Sequence, residues 1–474
     1  MNNGKYIDSR PLWLLFIFEY KNFFISLFAT LFFFIILALP TPDGLSSEGF
    51  KTLAVFILVL CLWITQALPM SVTALLVFGL LPLLGVMDSN EAFSLFGNQA
   101  VFFILGAFFL AAAIMTSGLS TRIAFIFLNL FGSTPKRLLV GLMLSSAFFT
   151  FFIPEHAVAA IYLPIALEIA RALHLKPGYS RYGKTLFLAV AWGCIMGGVA
   201  TLLGGARNPL AIGILYEYNG QTISFMEWFL YASPITVCML IIGVLIIKFK
   251  FKPDIHDISP ATKLIASKLQ EMGGMNLKEK LILVIFLGTV FCWGVWGEEL
   301  GLAEIAIISV GLLFLFNLMT WEDVEENVNW GIILMYGGAI AIGKAMVTTG
   351  CALWLVNLFL PNDSVSPFLI LIGIVVLAVF LTEGISNSAV VALLLPVCLI
   401  LSEKFGIDPK LVTLAVAIPA GLAFMLPTSS PTNAICYSAG YYTISEIIKI
   451  TLFLDISVVV VFTLVNQFLW SFSI

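Results

Sequence analysis

Charged residues are scarce in this chain. Asp, Glu, Lys and Arg together make up 11% of the 474 residues, whereas 61% are hydrophobic and the mean hydropathy is +1.07. A soluble domain is about half apolar and about a quarter charged. The low fraction of charged residues and the high fraction of apolar residues exclude an ordinary soluble protein. Since roughly 20 apolar residues cross a bilayer, the chain has room for about 11 transmembrane helices. We therefore expect an all-α polytopic membrane protein.

Histidine and cysteine are also few, with three and seven residues. The cysteines lie singly in apolar stretches, their number is odd, and no pair has C-x-x-C spacing. Disulfides and metal clusters are therefore not expected, and small buried side chains are the simplest role for these residues. No nucleophile–base pair indicates an enzyme, and neither a cofactor nor a nucleic-acid partner is expected. The first residues show no cleavage site of a signal peptide.

One twelve-residue pattern occurs twice. Residues 153–164 read IPEHAVAAIYLP and residues 385–396 read ISNSAVVALLLP. Each copy places polar residues inside an apolar stretch that ends in proline. Two related halves, each with an interrupted apolar segment, are typical of secondary transporters.

The repeated pattern predicts how the chain is divided. Two re-entrant hairpins are expected, at 139–170 and 367–402, each inside one copy of an inverted repeat. The predicted parts are an N-terminal interfacial helix and first span (1–49), a first repeat (50–248), a cytoplasmic linker (249–280) and a second repeat (281–474).

Basic residues predict the orientation of the chain, because Lys and Arg favour the cytoplasmic side. With the N-terminus in the cytoplasm, the basic segments 118–138, 171–184 and 249–280 all fall on that side if 139–170 returns to the side from which it entered. The second hairpin then opens to the outside, so the two halves have opposite orientations. The expected location is the inner (plasma) membrane of a bacterium or archaeon.

Interrupted segments can carry the chemistry of such a protein. Non-helical backbone survives at membrane depth only inside protein or against a water-filled cavity. Helix N-termini at such a point attract anions, and free carbonyl groups coordinate cations. Each half has a second break rich in small and polar residues, at 197–209 and 427–434. These breaks contain the corresponding residues Asn208 and Asn433.

Several motifs resemble the divalent-anion:sodium symporter (DASS) family, which imports dicarboxylates, tricarboxylates or sulfate. The family has a Ser-Asn-Thr tip in each hairpin and a Thr-Pro-Pro-Asn type loop after each. The matching segments here are the tip 386–388 with Thr382-Glu383 before it, the loop 430–433, the early motif at 62–74 and the Gly-rich span that begins at Trp330.

The resemblance implies a homodimer with a scaffold domain and a transport domain that moves as an elevator. It places sodium between each tip and its partner loop, and the substrate between the tips. The motifs that match the family imply substrate binding by Ser386, Asn387, Ser388, Ser430, Pro431 and Thr432, and cation binding by Thr150, Asn208, Thr382, Ser386, Asn387 and Asn433, with sodium on side-chain and backbone atoms of Thr382, Ser386 and Asn387. Three further candidates stand where the chain departs from the family motifs. They are His156 and Arg207 for substrate binding and Glu155 for cation binding or coupling.

The first half departs from the family pattern. Pro154-Glu155-His156 stands in place of Ser-Asn-Thr, and Ala206-Arg207 stands in place of Pro-Pro. A carboxylate inside a membrane segment is costly, so it needs a partner or a role. Glu155 can pair with Arg207, whose guanidinium would replace the lost sodium. It can instead be a proton-coupling carboxylate, or it can occupy a solvated position.

Two further roles remain open in the first half. The planar fork of Arg207 matches a carboxylate or sulfate, so Arg207 can bind the substrate directly. His156 can donate to the substrate, act as a titrating switch, or be a hydrogen-bonded core histidine.

The sequence thus predicts an elevator-type secondary active transporter of small divalent anions such as dicarboxylates. Sodium at one retained site is the expected coupling ion, and the first sodium site is altered. The alternatives are a sodium-independent exchanger, a proton-coupled carrier of an anion such as sulfate or citrate, and a membrane sensor that does not transport. The expected partners are the anion, sodium or a proton, the lipid bilayer and a second copy of the chain.

Overall fold

The described structure is entirely helical. A computed structural model describes residues 19–131, 134–360 and 365–470, and these ranges contain no β-strand. This confirms the predicted all-α fold. The predicted interfacial helix at 12–20 lies outside the described residues, apart from Glu19 and Tyr20.

The first half contains helices of very different lengths. They are α1 (Lys21–Ala38), α2 (Ser47–Thr65), α3 (Met70–Leu83), α4 (Ser89–Ser94), α5 (Gln99–Thr116), α6 (Leu119–Phe131), α7 (Pro135–Thr150), α8 (Glu155–Ala172), α9 (Arg181–Gly197), α10 (Arg207–Asn219) and α11 (Phe225–Phe249).

The second half repeats this mixture of long and short helices. They are α12 (Ser259–Glu271), α13 (Leu277–Leu300), α14 (Leu302–Leu315), α15 (Trp321–Asn327), α16 (Trp330–Thr348), α17 (Cys351–Phe359), α18 (Pro367–Gly384), α19 (Asn387–Phe405), α20 (Pro409–Ala420), α21 (Pro431–Ser438) and α22 (Ile444–Phe468).

The chain is an integral membrane protein. Nine of the helices within the described ranges have the length and composition to cross a bilayer, and this number includes both α18 and α19. Large apolar side chains such as Phe28, Val284 and Phe291 are exposed on the outer faces of these helices. A soluble protein rarely exposes so much apolar surface, so these faces contact lipid. The predicted number of about 11 transmembrane helices stays a prediction.

Two helical hairpins lie where the repeated pattern predicts breaks. Helix α7 ends at Thr150 and α8 begins at Glu155, while α18 ends at Gly384 and α19 begins at Asn387. The two helices of each pair pack against each other.

The residues that begin the returning helices have nearly the same backbone. Pro154 has φ −53° and ψ 137°, and Ser386 has φ −56° and ψ 136°. Both residues thus enter a helix from an extended conformation. In the first hairpin proline supports this break, because its ring fixes φ and it has no N–H to donate.

The second breaks also share one conformation. The amide Nδ2 of Asn208 donates to the carbonyl of Gly198, ten residues earlier, at 3.1 Å. The amide Nδ2 of Asn433 donates to the carbonyl of Ala423, also ten residues earlier, at 3.0 Å. Each asparagine therefore closes an irregular loop that leads into a short helix, α10 or α21.

The linker is more ordered than the sequence analysis expected. Residues 249–280 contain the helix α12, which buries Ala261 and Ile265 on one face. Four-residue spacing of two apolar residues is a weak helical signal that the many lysines of this segment obscure.

Arg122 of α6 binds the C-terminal end of the linker. Its Nε lies 3.0 Å from Oε1 of Glu279, and its Nη2 and Nη1 donate to the carbonyls of Met272 and Gly273 at 3.0 and 2.6 Å. Both charged side chains are buried. Each of the three guanidinium nitrogens thus binds a different acceptor.

Candidate functional site

The tips of both hairpins line one small cavity of about 180 Å³. Glu155 and His156 come from the first tip, and residues 386–388 come from the second. Arg207 and Pro431 reach the same cavity from the two second breaks. Segments that are far apart in sequence, near 154 and near 386, are therefore neighbours in space.

Six helices begin at this cavity. Its lining includes residues at the N-terminal ends of α3, α8, α10, α16, α19 and α21. The first N–H groups of a helix have no partner within the helix, and its N-terminus carries roughly half a positive charge. Several such ends around one cavity make a site for an anion. In the described lining, Glu155 is the single acidic side chain.

Glu155 and Arg207 form a buried ion pair. Arg207 Nη1 lies 3.3 Å from Glu155 Oε2, and the two residues are 2% and 5% exposed. The backbone N–H of Glu155 donates to the carbonyl of Gly204 at 2.9 Å, which joins the tip to the second break. Of the alternatives for Glu155, the structure therefore contains the pair. The positive charge beside the carboxylate reduces its repulsion of an anion in the cavity.

Two glycines surround the guanidinium of Arg207. Gly205 and Gly421 lie so close to it that a Cβ atom at either position would overlap with the guanidinium. Gly421 belongs to the second half, so Arg207 extends from the first tip to the break of the other half. Its Nε and Nη2 are buried and have no hydrogen-bond partner in the described part of the chain.

Oxygen atoms converge at the second tip. Thr382 Oγ1 lies 2.8 Å from Asn387 Oδ1 and 2.8 Å from the carbonyl oxygen of Ala420. A hydroxyl has one hydrogen, so it can donate to only one of them at a time. Both side chains are buried. Neutral side-chain and carbonyl oxygens of this kind suit a hard cation.

The first tip lacks that arrangement. Thr150, which corresponds to Thr382, donates to the carbonyl of Ala147 within its own helix at 2.8 Å. Asn208 Oδ1 is fully buried without a partner among the described residues. The Glu155–Arg207 pair lies beside it and brings charged groups to the region where the second tip has neutral ones.

Two of the predicted substrate residues do not line the cavity. Ser430 caps α21, because its Oγ accepts from the N–H of Asn433 at 3.2 Å. Thr432 is fully buried on another side of the same helix turn. Successive residues of a helix point in different directions, so only Pro431 and the preceding Ser429 face the cavity. Asn433 supports the loop, as described above.

Glu383, which the sequence left unresolved, holds the second break in place. Its carboxylate accepts from the backbone N–H groups of Phe424, Met425 and Leu426 at 2.7 to 3.1 Å. Asp455 of α22 interacts with the same carboxyl group and is fully buried. Sequence reasoning missed Asp455, since a lone acid in the last span matches no motif.

The sequence analysis also did not predict a further part of the cavity lining. It comes from the starts of α3 and α16 and consists of Met70, Ser71, Asn329, Gly331, Ile332 and Met335. Pro69 before α3 and the N-cap residue Asn329 are signals of helix starts, but nothing in the sequence shows that the two starts meet.

Comparison with known proteins agrees with this arrangement. Residues 21–474 match the family described as Sodium:sulfate symporter transmembrane region. The chain belongs to this family. The family resemblance drawn from the motifs is thereby confirmed, and the chain is a transporter-family protein rather than an enzyme.

Curated members of this family are similar over nearly the whole chain. The sodium-dependent dicarboxylate transporter SdcS of Staphylococcus saprophyticus is 31% identical over 465 residues, which cover 93% of this chain and 89% of the relative. SdcS of Staphylococcus aureus strain bovine RF122 is 30% identical over 461 residues, which cover 92% and 88%.

Solved structures share the fold. The YdaH transporter of Alcanivorax borkumensis has a TM-score of 0.55 at 15% identity and covers 81% of this chain and 90% of its own. MtrF of Neisseria gonorrhoeae has a TM-score of 0.52 at 14% identity, with coverage of 79% and 83%. At these identities the likeness concerns the fold alone.

Proposed function

We propose that this symporter-family chain is a secondary active transporter of small divalent anions, with dicarboxylates as the leading substrates. The observation that carries the proposal is the convergence of six helix N-termini on one cavity between two hairpin tips. The SdcS relatives, which are named as sodium-dependent dicarboxylate transporters, support the same substrate class.

The size and polarity of the cavity support a small anion. Pockets for drug-sized ligands measure about 300 to 1,000 Å³, whereas this cavity measures about 180 Å³. Ser386, Asn387, Ser388 and Ser429 offer neutral donors at its wall. Such donors, together with helix N-termini, compensate negative charge without the cost of burying many cations.

Sodium at the second tip is the proposed coupling ion. Thr382, Ser386 and Asn387 would hold it with side-chain and backbone oxygens, and Asn433 would support the adjoining loop. The bound ion would add positive charge beside the anion. In the first half, the guanidinium of Arg207 would take the place of a second sodium ion, since it lies against the tip, is buried and is paired with Glu155.

The proposed movement is that of an elevator. The transport domain would contain both hairpins and both second breaks, and the scaffold would contain α3, α5, α14 and α16. The matching backbone at Pro154 and Ser386 supports two copies of one hairpin, and the basic loops support their opposite orientation. A homodimer joined through the scaffold is part of the proposal.

Uptake into sealed proteoliposomes tests the function. We expect radiolabelled succinate, a C4 dicarboxylate, to enter under an inward sodium gradient and not under a proton gradient alone. Asn387→Ala should abolish uptake, while Asn90→Ala on the exposed helix α4 serves as the control. Binding without uptake under any gradient would identify a sensor. Uptake driven by protons alone would identify the proton-coupled carrier instead.

Counting sodium tests the altered first site. The reversal potential of succinate uptake gives the number of sodium ions that move with each anion. We expect one. A value of two or more would show that the first tip still binds sodium despite the Glu155–Arg207 pair.

A further inference from the structure

Two polar side chains of the cavity lining come from neither the tips nor the second breaks and have no assigned role. Ser71 lies in the first turn of α3, and Asn329 is the N-cap residue of α16. Both line the same cavity as Asn387 and Arg207. In the proposed elevator these two residues belong to the scaffold, whereas the tips belong to the moving domain.

Of the side-chain amide of Asn329, only the oxygen atom has a hydrogen-bond partner among the described residues. Its Oδ1 accepts from the backbone N–H of Ile332 at 3.3 Å and so caps α16. Its Nδ2, which has two hydrogens to donate, makes no hydrogen bond with the described residues. The hydroxyl of Ser71 likewise makes none within the described ranges.

The two side chains converge on Gly331. A Cβ atom at Gly331 would lie 3.3 Å from Asn329 Oδ1 and 3.7 Å from Ser71 Oγ. Both polar side chains thus lie close to the same point of the cavity lining. Helices α3 and α16 begin near this point, and their N-termini add partial positive charge.

A second observation concerns the part of the lining that comes from the tips. Ser386 and Asn387 offer donors to the same cavity as Ser71 and Asn329, and Arg207, which also lines it and is 2% exposed, has two nitrogen atoms without a partner in the described structure. Donors from two groups of elements around one small cavity match a solute with acceptors at both ends. A dicarboxylate is such a solute, because each carboxylate offers two acceptor oxygens.

We infer that Ser71 and Asn329 bind the second carboxylate of the anion while the tips bind the first. This inference rests on the proposed function and deepens it, because it makes two scaffold residues the determinants of divalent over monovalent specificity. A monocarboxylate of the same length would leave these donors unused. The site then discriminates through hydrogen bonds to a charged group, which are stronger than those between neutral groups.

Substitutions at Asn329 test the inference without loss of the helix cap. Serine and aspartate both cap helices well, so Asn329→Ser and Asn329→Asp should unfold at the wild-type temperature in the absence of anion. Equilibrium binding of succinate and of butyrate, its monocarboxylate counterpart, is measured for each purified protein. Asn90→Ser and Asn90→Asp, at the exposed start of α4, are the matched controls.

The expected result is a loss of discrimination. The ratio of the butyrate Kd to the succinate Kd should fall about tenfold in Asn329→Ser, since a factor of ten corresponds to about 1.4 kcal/mol. In Asn329→Asp it should fall further, because the new carboxylate repels the second carboxylate of succinate. Ser71→Ala should lower the ratio in the same direction. The Asn90 variants should keep the wild-type ratio.

Other results overturn the inference and separate it from the proposed function. Equal weakening of both ligands in Asn329→Ser, or no change in either, would refute the role of Asn329 while wild-type uptake of succinate still supports the transporter. Binding of sulfate but of no dicarboxylate would also refute it, since sulfate has no second carboxylate. A wild-type protein that neither binds nor moves any of these anions would refute both.

Discussion

Arg207 of the first half packs against Gly421 of the second half. The guanidinium occupies the space that a side chain at position 421 would need, and its Nη1 pairs with Glu155 at 3.3 Å. One side chain thus connects a hairpin tip of one half with the second break of the other. The position of the first hairpin tip relative to the second break of the other half depends on this contact.

Gly421→Ala is expected to displace Arg207. The added methyl group overlaps with the guanidinium, and overpacking of this kind costs about 1 to 3 kcal/mol. We expect a lower unfolding temperature in detergent and weaker anion binding. Gly373→Ala, where no atom lies within 4 Å of the added Cβ, is the control and should be at least as stable as the wild type, because alanine favours the helix interior over glycine. Equal stability of both variants would contradict the packing of Arg207 described here.

Glu155 and Arg207 should be strongly coupled energetically. Removal of one partner of a buried ion pair leaves an uncompensated charge and costs about 3 to 5 kcal/mol. We expect Glu155→Gln and Arg207→Gln each to destabilise the protein, and the double variant to be less destabilised than the two changes added together. A double-mutant cycle on reversible unfolding measures the difference. If the two destabilisations simply add, the Glu155 and Arg207 side chains have no energetic coupling.

The two equivalent threonines should respond differently to sodium. A cation that binds the folded state raises its unfolding temperature. Thr382 lies between two other oxygen atoms at 2.8 Å, whereas Thr150 is bonded within its own helix. Thr382→Val should therefore abolish the stabilisation by NaCl relative to choline chloride, and Thr150→Val should retain it. Loss of the shift in both variants would indicate two working sodium sites.

Glu383 and Asp455 should tolerate neutralisation unequally. The Glu383 carboxylate accepts three backbone N–H groups with both oxygens. Because glutamine has only one acceptor oxygen, Glu383→Gln should cost about 1 to 3 kcal/mol. Asp455 faces the Glu383 carboxyl group, and neither of its oxygens has a well-formed hydrogen bond with the described residues. Asp455→Asn would remove one of two neighbouring buried acids, so it should leave the unfolding temperature unchanged or raise it. A lower stability of Asp455→Asn than of Glu383→Gln would contradict this assignment.

Asp254 should make stability depend on pH at the start of α9. Burial opposes its charge, but the N–H groups of Tyr182 and Arg181 and the Ser180 hydroxyl hold the pKa of Asp254 below its ordinary value. A lowered folded-state pKa gives stability that is present above the unfolded pKa of about 3.9 and is lost as pH falls through the folded value. Asp254→Asn should therefore be less stable than the wild type at pH 7, and the gap should close in acid. Asp43→Asn is the control.

The sequence predicts the breaks better than the contacts between them. Pro154 and Ser386 interrupt apolar runs at equivalent places, so the two hairpin tips follow from local pattern alone. The buried charge at Glu155 required a partner, and Arg207 was the nearest candidate in an equivalent break. These inferences use hydropathy and the cost of intramembrane charge, both of which are readable along a single chain.

Contacts between distant helices had no such signal. Nothing in the residues around Gly421 indicates that Arg207 lies against it, because glycine is common in breaks of any kind. Ser71 and Asn329 are ordinary residues for helix starts, so their place in the cavity depends on how α3 and α16 pack. The linker helix α12 was missed because its two buried residues lie among charged ones.

A positive charge that belongs to the protein itself is not released with the substrate. In the proposed cycle a sodium ion would cross the membrane with the substrate, whereas the guanidinium of Arg207 would return with the empty carrier. Under the proposed ratio of one sodium per divalent anion, each cycle would move one net negative charge inward. A potential that is negative inside opposes such a current by about 2.3 kcal/mol per 100 mV, so polarised vesicles should favour export.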